Sequence, residues 1–238
     1  MDYIYMKISF GTSCMGRLDD LKKTYLQNID LCIRKGLECE FILLNWNSPD
    51  DLNNWAENNL DAYIKQGLVK YLVNCNAKEF SQAKTKNTTL KNSTGSILCT
   101  LDADNLLNSN FISIIQDSFS SPNSDNIILQ CKGGPMAGRI IFTRENFLKL
   151  RGFDESMKGW GYEDRDFVNR FCRVFNSEVI TLPHGDCGRA FHRGESSEKK
   201  HQKLRQLRMN RRISNINLRN KNFYPNNENW GTHFDYEK

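Results

Sequence analysis

No apolar run in the 238-residue chain approaches the roughly 18 residues a membrane-spanning helix requires; Phe41-Ile42-Leu43-Leu44 is among the longest. Met1 to Lys7 lack the basic stretch followed by an apolar one that marks a secretory signal, so a cytoplasmic protein is expected. None of the 8 cysteines belongs to a C-x-x-C pair and several lie inside apolar runs, which argues for reduced, buried thiols and against a zinc site or disulfide scaffold. There is no low-complexity tract, no internal repeat and no evident linker. Histidine is scarce, with only His184, His192, His201 and His233. From Lys199 to Lys221 there is no carboxylate, although Lys and Arg are dense there. The net charge of +5 therefore belongs to the tail, and the body is close to neutral.

What is present is a 39% apolar chain, long enough to bury the core of one α/β domain. An apolar strand, Ile4 to Phe10, leads into Gly11-Thr12-Ser13-Cys14-Met15-Gly16-Arg17. Leu18, Leu21, Tyr25, Ile29 and Ile33 then recur at helical spacing, and the helix should end near Gly36. A second strand covers Cys39 to Leu44 and a helix Leu52 to Gln66; a third strand covers Leu68 to Val73, a helix Ser81 to Lys91, and a fourth strand Ser96 to Leu101. Alternation of this kind predicts a mainly parallel sheet with helices on both faces and ligand sites at the carboxyl ends of its strands. Further on, Ile127 to Leu129 and Arg139 to Phe142 read as strands, Glu145 to Leu150 as a short helix, Gly152 to Tyr162 as a loop, and Glu163 to Phe175 as an amphipathic helix.

Two segments carry candidate chemistry. In Leu101-Asp102-Ala103-Asp104-Asn105, directly after the fourth strand, residues two apart point the same way in extended backbone, so both carboxylates can face one site. Adjacent carboxylates repel unless a cation joins them, and hard oxygen ligands suit Mn²⁺ or Mg²⁺, which would in turn hold a diphosphate. The plain alternative is two solvated acids at a turn. In Gly159-Trp160-Gly161-Tyr162-Glu163-Asp164-Arg165-Asp166, acids around a helix start can simply complement its dipole. That alternative leaves the Gly-Trp-Gly unexplained. A flat indole between glycines suits a sugar ring, and a carboxylate beside it suits a general base. His192, between the acidic segment and the basic tail, is the first choice for an imidazole completing the metal site, and His184 the second.

Taken in order, Thr12 to Arg17, Phe80-Ser81-Gln82-Ala83-Lys84-Thr85-Lys86-Asn87, Leu101 to Asp104, and Arg139 to Glu155 running into Gly159 to Asp164 resemble the GT-A glycosyltransferases. The match is to family 2-type enzymes with a β-1,4-galactosyltransferase-like C-terminal half, over about residues 4 to 195. The resemblance implies a GT-A, Rossmann-like α/β domain at 1–198, with a nucleotide-sugar half at 1–105 and an acceptor half at 106–198, followed by a basic helical extension at 199–238. It further implies that Thr12, Ser13, Arg17 and Lys84 line a UDP pocket. Asp102 would meet ribose or metal, and Asp104 and His192 would bind Mn²⁺. Trp160 and Gly161 would sit under the acceptor sugar, which Glu163 and Asp164 would hold with Asp164 as base. Three features depart from the pattern. Asn45-Trp46-Asn47 stand where many members have an acid for the uracil, with Asp50 or Asp51 as substitutes. Arg189 replaces the methionine that accompanies the metal histidine in animal enzymes, and no membrane anchor is expected.

The activity these implications describe is an inverting transfer of a hexose or N-acetylhexosamine, galactose-type favoured, from a UDP-sugar to a saccharide acceptor. A polyprenyl-diphosphate-linked acceptor in bacterial surface-polysaccharide synthesis is expected, the basic tail resting on the anionic inner face of the cell membrane; the alternatives for the tail are a solvated, partly helical surface and closure of its first Arg and Lys over the nucleotide diphosphate. A nucleotidyltransferase acting on a sugar phosphate is the enzymatic rival, but Thr12 to Arg17 is a poor version of its glycine-rich loop. A nucleic-acid-binding protein using the tail is the non-enzymatic rival. Aromatics are missing from the tail until Phe223 and Tyr224, and the acidic loop would repel phosphates, so no nucleic-acid partner is expected.

Overall fold

A computed structural model describes residues 6–120, 124–191 and 196–238. Its first part is a run of βα units: β1 (Ile8–Cys14), α1 (Leu18–Arg34), β2 (Cys39–Trp46), α2 (Leu52–Lys65), β3 (Val69–Asn74), α3 (Gln82–Lys91) and β4 (Ile97–Thr100). There follow β5 (Asn105–Leu106), α4 (Ser109–Phe119), β6 (Ile128–Cys131), β7 (Ile140–Thr143), α5 (Arg144–Lys149), α6 (Glu163–Phe175), β8 (Val179–Leu182), β9 (Arg189–Ala190), α7 (Ser197–Arg219) and β10 (Tyr236–Glu237). The large sheet has the order β10-β3-β2-β1-β4-β7-β6-β8. Strands β1 to β4 are parallel to one another, β7 runs against both β4 and β6, and β6 and β8 are again parallel. The expected mainly parallel sheet is therefore present, with helices on both faces.

Alternation along the strands divides the core. Phe10, Phe41, Leu43, Tyr71, Cys99, Leu129 and Ile141 face α1, α2 and α4. Leu98, Ile128, Ile140 and Phe142 face the opposite way, onto Phe147, Phe153, Phe167 and Phe171. Five phenylalanines on this second side stack in series, Phe153 and Phe167 at 4.6 Å between ring centroids.

The first strand lies later than its apolar run suggests: it continues through Cys14, so Gly11, Thr12 and Ser13 belong to the strand and not to the loop after it. The reason is α3, which lies close over β1. A Cβ on Gly11 would stand 2.7 Å from both Leu90 Cδ2 and Thr89 Oγ1, so this face of the strand must be small rather than apolar.

The segment 199–238, expected to extend from the domain, packs against it at several points, with Asn210, Ser214, Asn226 and Trp230 buried. Trp230 is buried among the phenylalanines, 5.3 Å from Phe147. β10 pairs antiparallel with β3 and forms the edge of the large sheet. The His233 ring hydrogen-bonds the Glu155 carboxylate, which accepts at 2.8 Å.

Candidate active site

The acidic loop after β4 is held from three directions. From α1, the Thr24 hydroxyl donates to the Ala103 carbonyl at 2.6 Å, and the Asn28 amide spans Asn105 O at 2.9 Å and Leu107 N–H at 2.8 Å. From β7, the fully buried Arg139 guanidinium donates to Asn105 Oδ1 at 2.8 Å and to the Cys187 carbonyl. Across the top, β5 pairs with β9, and Phe191 N–H donates to the Asp104 carbonyl at 2.8 Å. Arg17, at the start of α1, donates to Asp104 Oδ2 at 2.7 Å and to Asp20 at 2.6 Å.

The second half of the site is the start of α6. Gly159, Gly161 and Tyr162 all take positive φ (64°, 93° and 77°), a sequence of left-handed turns that glycine accepts readily and tyrosine only at a cost. This sharp turn delivers Glu163 and Asp164 to the first turn of the helix, where the macrodipole favours them. The Lys86 ammonium, from the facing α3, bonds both: Glu163 Oε1 at 3.0 Å and Asp164 Oδ1 at 2.5 Å. Glu163 Oε2 is buried with no hydrogen-bond partner among the described residues.

Gly138 shows that the two halves meet. A Cβ built there would stand 3.0 Å from Asp164 Oδ2, 3.6 Å from Lys86 Nζ and 3.8 Å from Asp102 Oδ2. The carboxylates at the end of β4 and at the start of α6 therefore flank the same backbone position, and a side chain at 138 would intrude between them.

The electrostatics follow. Burial raises the pKa of Asp102; Lys86 opposes this, while Asp104 and Glu163 add to it. Burial and the Glu163 charge likewise push Asp164 well above the ordinary carboxylate value, against the pull of Lys86. Burial works against the charge of Lys86, but Asp164, Glu163 and Asp102 outweigh it and the side chain stays an ammonium. With this much like charge gathered, a bound cation would be welcome at Asp102 and Asp104.

The donor set at that position fits a hard divalent ion: two carboxylates are ligands of the kind Mn²⁺ or Mg²⁺ takes. Among the described residues no three His, Cys, Asp or Glu side chains are gathered as a complete cage. His192, the expected third ligand, lies outside the described residues. His184 is exposed in the 3₁₀ turn His184–Cys187 that packs on α4.

Of the remaining candidates, Thr12 is buried at the carboxyl end of β1, and its hydroxyl has no partner among the described residues; Ser13 follows it, half-buried. Asp50 is engaged elsewhere: its two oxygens accept from Leu18 N–H at 2.9 Å and from the Ser48 hydroxyl at 2.6 Å. Asp51 accepts from the Asn54 amide at 3.0 Å. Lys84 is half-buried on α3 and does not join the ion-pair network, which Lys86 forms instead. Trp160 is 38% exposed, its backbone N–H held by Gln206 Oε1 at 3.1 Å and its ring covered at 4.8 Å by Lys203.

Lys86 and Arg139 are the site residues that motif reading missed. The signal for Lys86 was present: Ala83, Lys86, Asn87 and Leu90 recur at helical spacing, so Lys86 shares the face of the two apolar residues on an otherwise polar helix. Arg139, at the edge of an apolar run, gave no such signal.

A family model described as the N-terminal domain of galactosyltransferase matches residues 133–194, about a quarter of the chain. That segment holds Gly138, Arg139, the Gly-Trp-Gly turn, Glu163 and Asp164. Comparison with curated protein sequences gives no match. Solved structures align far more widely. The catalytic domain of Drosophila β1,4-galactosyltransferase 7, complexed with xylobiose, matches with a TM-score of 0.56 at 16% identity, over 84% of this chain and 79% of that one. Glucosyl-3-phosphoglycerate synthase from Mycobacterium tuberculosis, complexed with Mn²⁺, UDP and phosphoglyceric acid, matches with a TM-score of 0.66 at 16% identity, over 88% and 78%. A mannosyltransferase from Pyrobaculum calidifontis, complexed with GDP-Man and Mn²⁺, matches with a TM-score of 0.59 at 17% identity, over 81% and 59%. The fold is that of the GT-A glycosyltransferases. In this GT-A fold the Asp102–Asn105 loop closes the β4 strand of the parallel half, and the α6 acids reach it from the half that the galactosyltransferase model matches.

Proposed function

We propose that the chain is a metal-dependent, inverting glycosyltransferase that moves a hexose or N-acetylhexosamine, galactose-type in the favoured case, from a UDP-sugar to a sugar hydroxyl. One observation carries this reading: Asp102, Lys86 and Asp164 surround Gly138, so metal-type and base-type carboxylates flank a single cleft. The Mn²⁺ complexes among the structural neighbours and the galactosyltransferase match over 133–194 support it.

Asp104, with Asp102 beside it and His192 as the proposed third ligand, would hold Mn²⁺ or Mg²⁺. Bound there, the ion supplies a Lewis acid that offsets charge on the departing UDP. Arg17, which bonds Asp104, would meet a diphosphate oxygen, and Thr12 and Ser13 line the same strand end. Lys84 approaches the nucleotide from α3. On the other side Trp160 and Gly161 form the floor for the acceptor sugar. Glu163, with its unpartnered Oε2, accepts from an acceptor hydroxyl. Asp164 takes the proton of the attacking hydroxyl, and its raised pKa makes it a stronger base than a solvated carboxylate. Lys86 holds both acids in position. We place the acceptor on a polyprenyl diphosphate in bacterial surface-polysaccharide synthesis at the cytoplasmic side of the membrane, a setting supported by the basic character of α7.

The test is a panel of UDP-sugars with Mn²⁺, scored by donor hydrolysis and by transfer to saccharides. Excess EDTA should abolish turnover. Asp164→Asn should lower transfer by roughly 10²-fold or more while UDP affinity stays within a few-fold of wild type. Full activity in EDTA removes the metal from the mechanism, and wild-type turnover by the Asn variant removes the base.

A further inference from the structure

Helix α7 has two distinct faces. Its inner face, Lys203, Gln206, Asn210, Ser214 and Asn217, is turned to the body. Gln206 holds the Trp160 N–H, and the Asn210 amide bonds the carbonyls of Lys158 at 3.1 Å and Gly161 at 2.8 Å. Asn217 donates to Asp154 at 2.7 Å. This polar face clamps the Gly-Trp-Gly turn.

The outer face has nothing packed on it among the described residues. Leu204, Met209 and Ile216 are 51%, 46% and 56% exposed and provide three of the eight large apolar side chains exposed on the described surface. They share one arc of the helix with Arg205, Arg208 and Arg212, all exposed, and Leu204, Met209 and these arginines line a single shallow groove with His201. The one acid of the helix, Glu198, lies at its first turn. Guanidinium groups alternating with aliphatic side chains along an exposed face match a surface that is anionic outside and apolar beneath. A second copy of the chain would set these arginines against their own kind. Nucleic acid would leave the three apolar side chains without a partner, since no aromatic ring lies on this face to stack a base.

We propose that the outer face of α7 docks on an anionic lipid surface, with Arg205, Arg208 and Arg212 at the phosphates and Leu204, Met209 and Ile216 entering the headgroup layer. The inner face of the same helix grips the acceptor loop, so docking holds Trp160 about one helix diameter, roughly 10 Å, from the lipid. This consequence for the acceptor rests on the glycosyltransferase reading above; docking itself does not.

The experiment uses the full chain with two sets of vesicles, phosphatidylcholine alone and phosphatidylcholine containing phosphatidylglycerol, read by co-sedimentation. The expected result is binding to the anionic vesicles only, weakened by salt. The variant Arg205→Glu/Arg208→Glu/Arg212→Glu should lose roughly tenfold or more of that binding, and Leu204→Gln/Met209→Gln/Ile216→Gln should also weaken it. Both variants should keep the wild-type thermal transition and UDP-sugar hydrolysis in solution, which shows that they fold. Equal binding to both vesicle types, unchanged binding by the charge-reversed chain, or tighter binding to a short RNA duplex than to the anionic vesicles overturns the proposal. Absence of UDP-sugar hydrolysis in the wild type would refute the enzymatic reading and leave the vesicle result to stand or fall separately.

Discussion

Lys86 is the residue on which the two halves of the site are balanced, since its ammonium bonds Glu163 and Asp164 and lies beside Asp102. Because it holds the pKa of Asp164 down against burial and Glu163, its loss has a definite sign. If Asp164 is the base, turnover falls as pH drops through its raised pKa, so the acid limb of kcat lies above the usual carboxylate range. Lys86→Met should move that limb to still higher pH, and a pH profile that does not move would show that another group titrates. A second acid, at the opposite end of the strands, has the reverse behaviour. Glu40 is buried, which disfavours its charge, but bonds from the Ser9 hydroxyl, the Thr94 backbone and Lys7 outweigh this and hold it at about 2, down from 4.5. Its contribution is fully present above pH 4.5 and is lost as pH falls towards 2. Glu40→Gln should cost on the order of 3 kcal/mol near neutrality and flatten the acid limb of stability, read by denaturant unfolding across that range.

At the scale of elements, the informative segments are those where packing contradicts polarity. α3 is a polar helix by composition, yet Thr85, Lys86, Asn87, Thr88 and Thr89 are all buried, because β1 offers it a face of glycine and small hydroxyls and because its buried amide and lysine have partners. The apolar run placed β1 too early for the same reason: residues chosen for closeness to α3 are not hydrophobic. α7 reads from sequence as a uniformly basic stretch, whereas its Asn210 and Ser214 are buried against the body. Asn210→Ala removes three hydrogen bonds to the 158–161 turn. It should destabilise the protein by about 1–3 kcal/mol and raise the KM for acceptor more than the KM for donor, measured in paired saturation series. An equal rise in both would show that the turn does not belong to the acceptor side.

For the whole molecule, the C-terminal segment closes the structure rather than trailing from it. Trp230 completes the phenylalanine cluster, Lys91 bonds the Trp230 carbonyl at 2.5 Å, and β10 covers the β3 edge. A chain ending at Ser197 should therefore show a lower and broader thermal transition than the intact protein, followed by circular dichroism. A transition unchanged in midpoint would mean that the cluster holds without Trp230. This is also why lipid docking is tested by charge reversal on the intact chain.

The βα alternation through β4, the parallel character of that part of the sheet, and the two acidic motifs at their strand and helix ends were legible from the sequence, because hydrophobic period and turn residues are local properties; α4, β5, β8, β9 and β10 were not anticipated. Which lysine of α3 enters the cleft, that Arg139 braces the acidic loop from a neighbouring strand, and that the tail packs on the Gly-Trp-Gly turn were decided only by tertiary structure. Each of these joins residues far apart in the chain, 77 positions for Lys86 and Glu163 and 34 for Arg139 and Asn105, and such a pairing exists only once strands and helices have docked and brought the groups within reach.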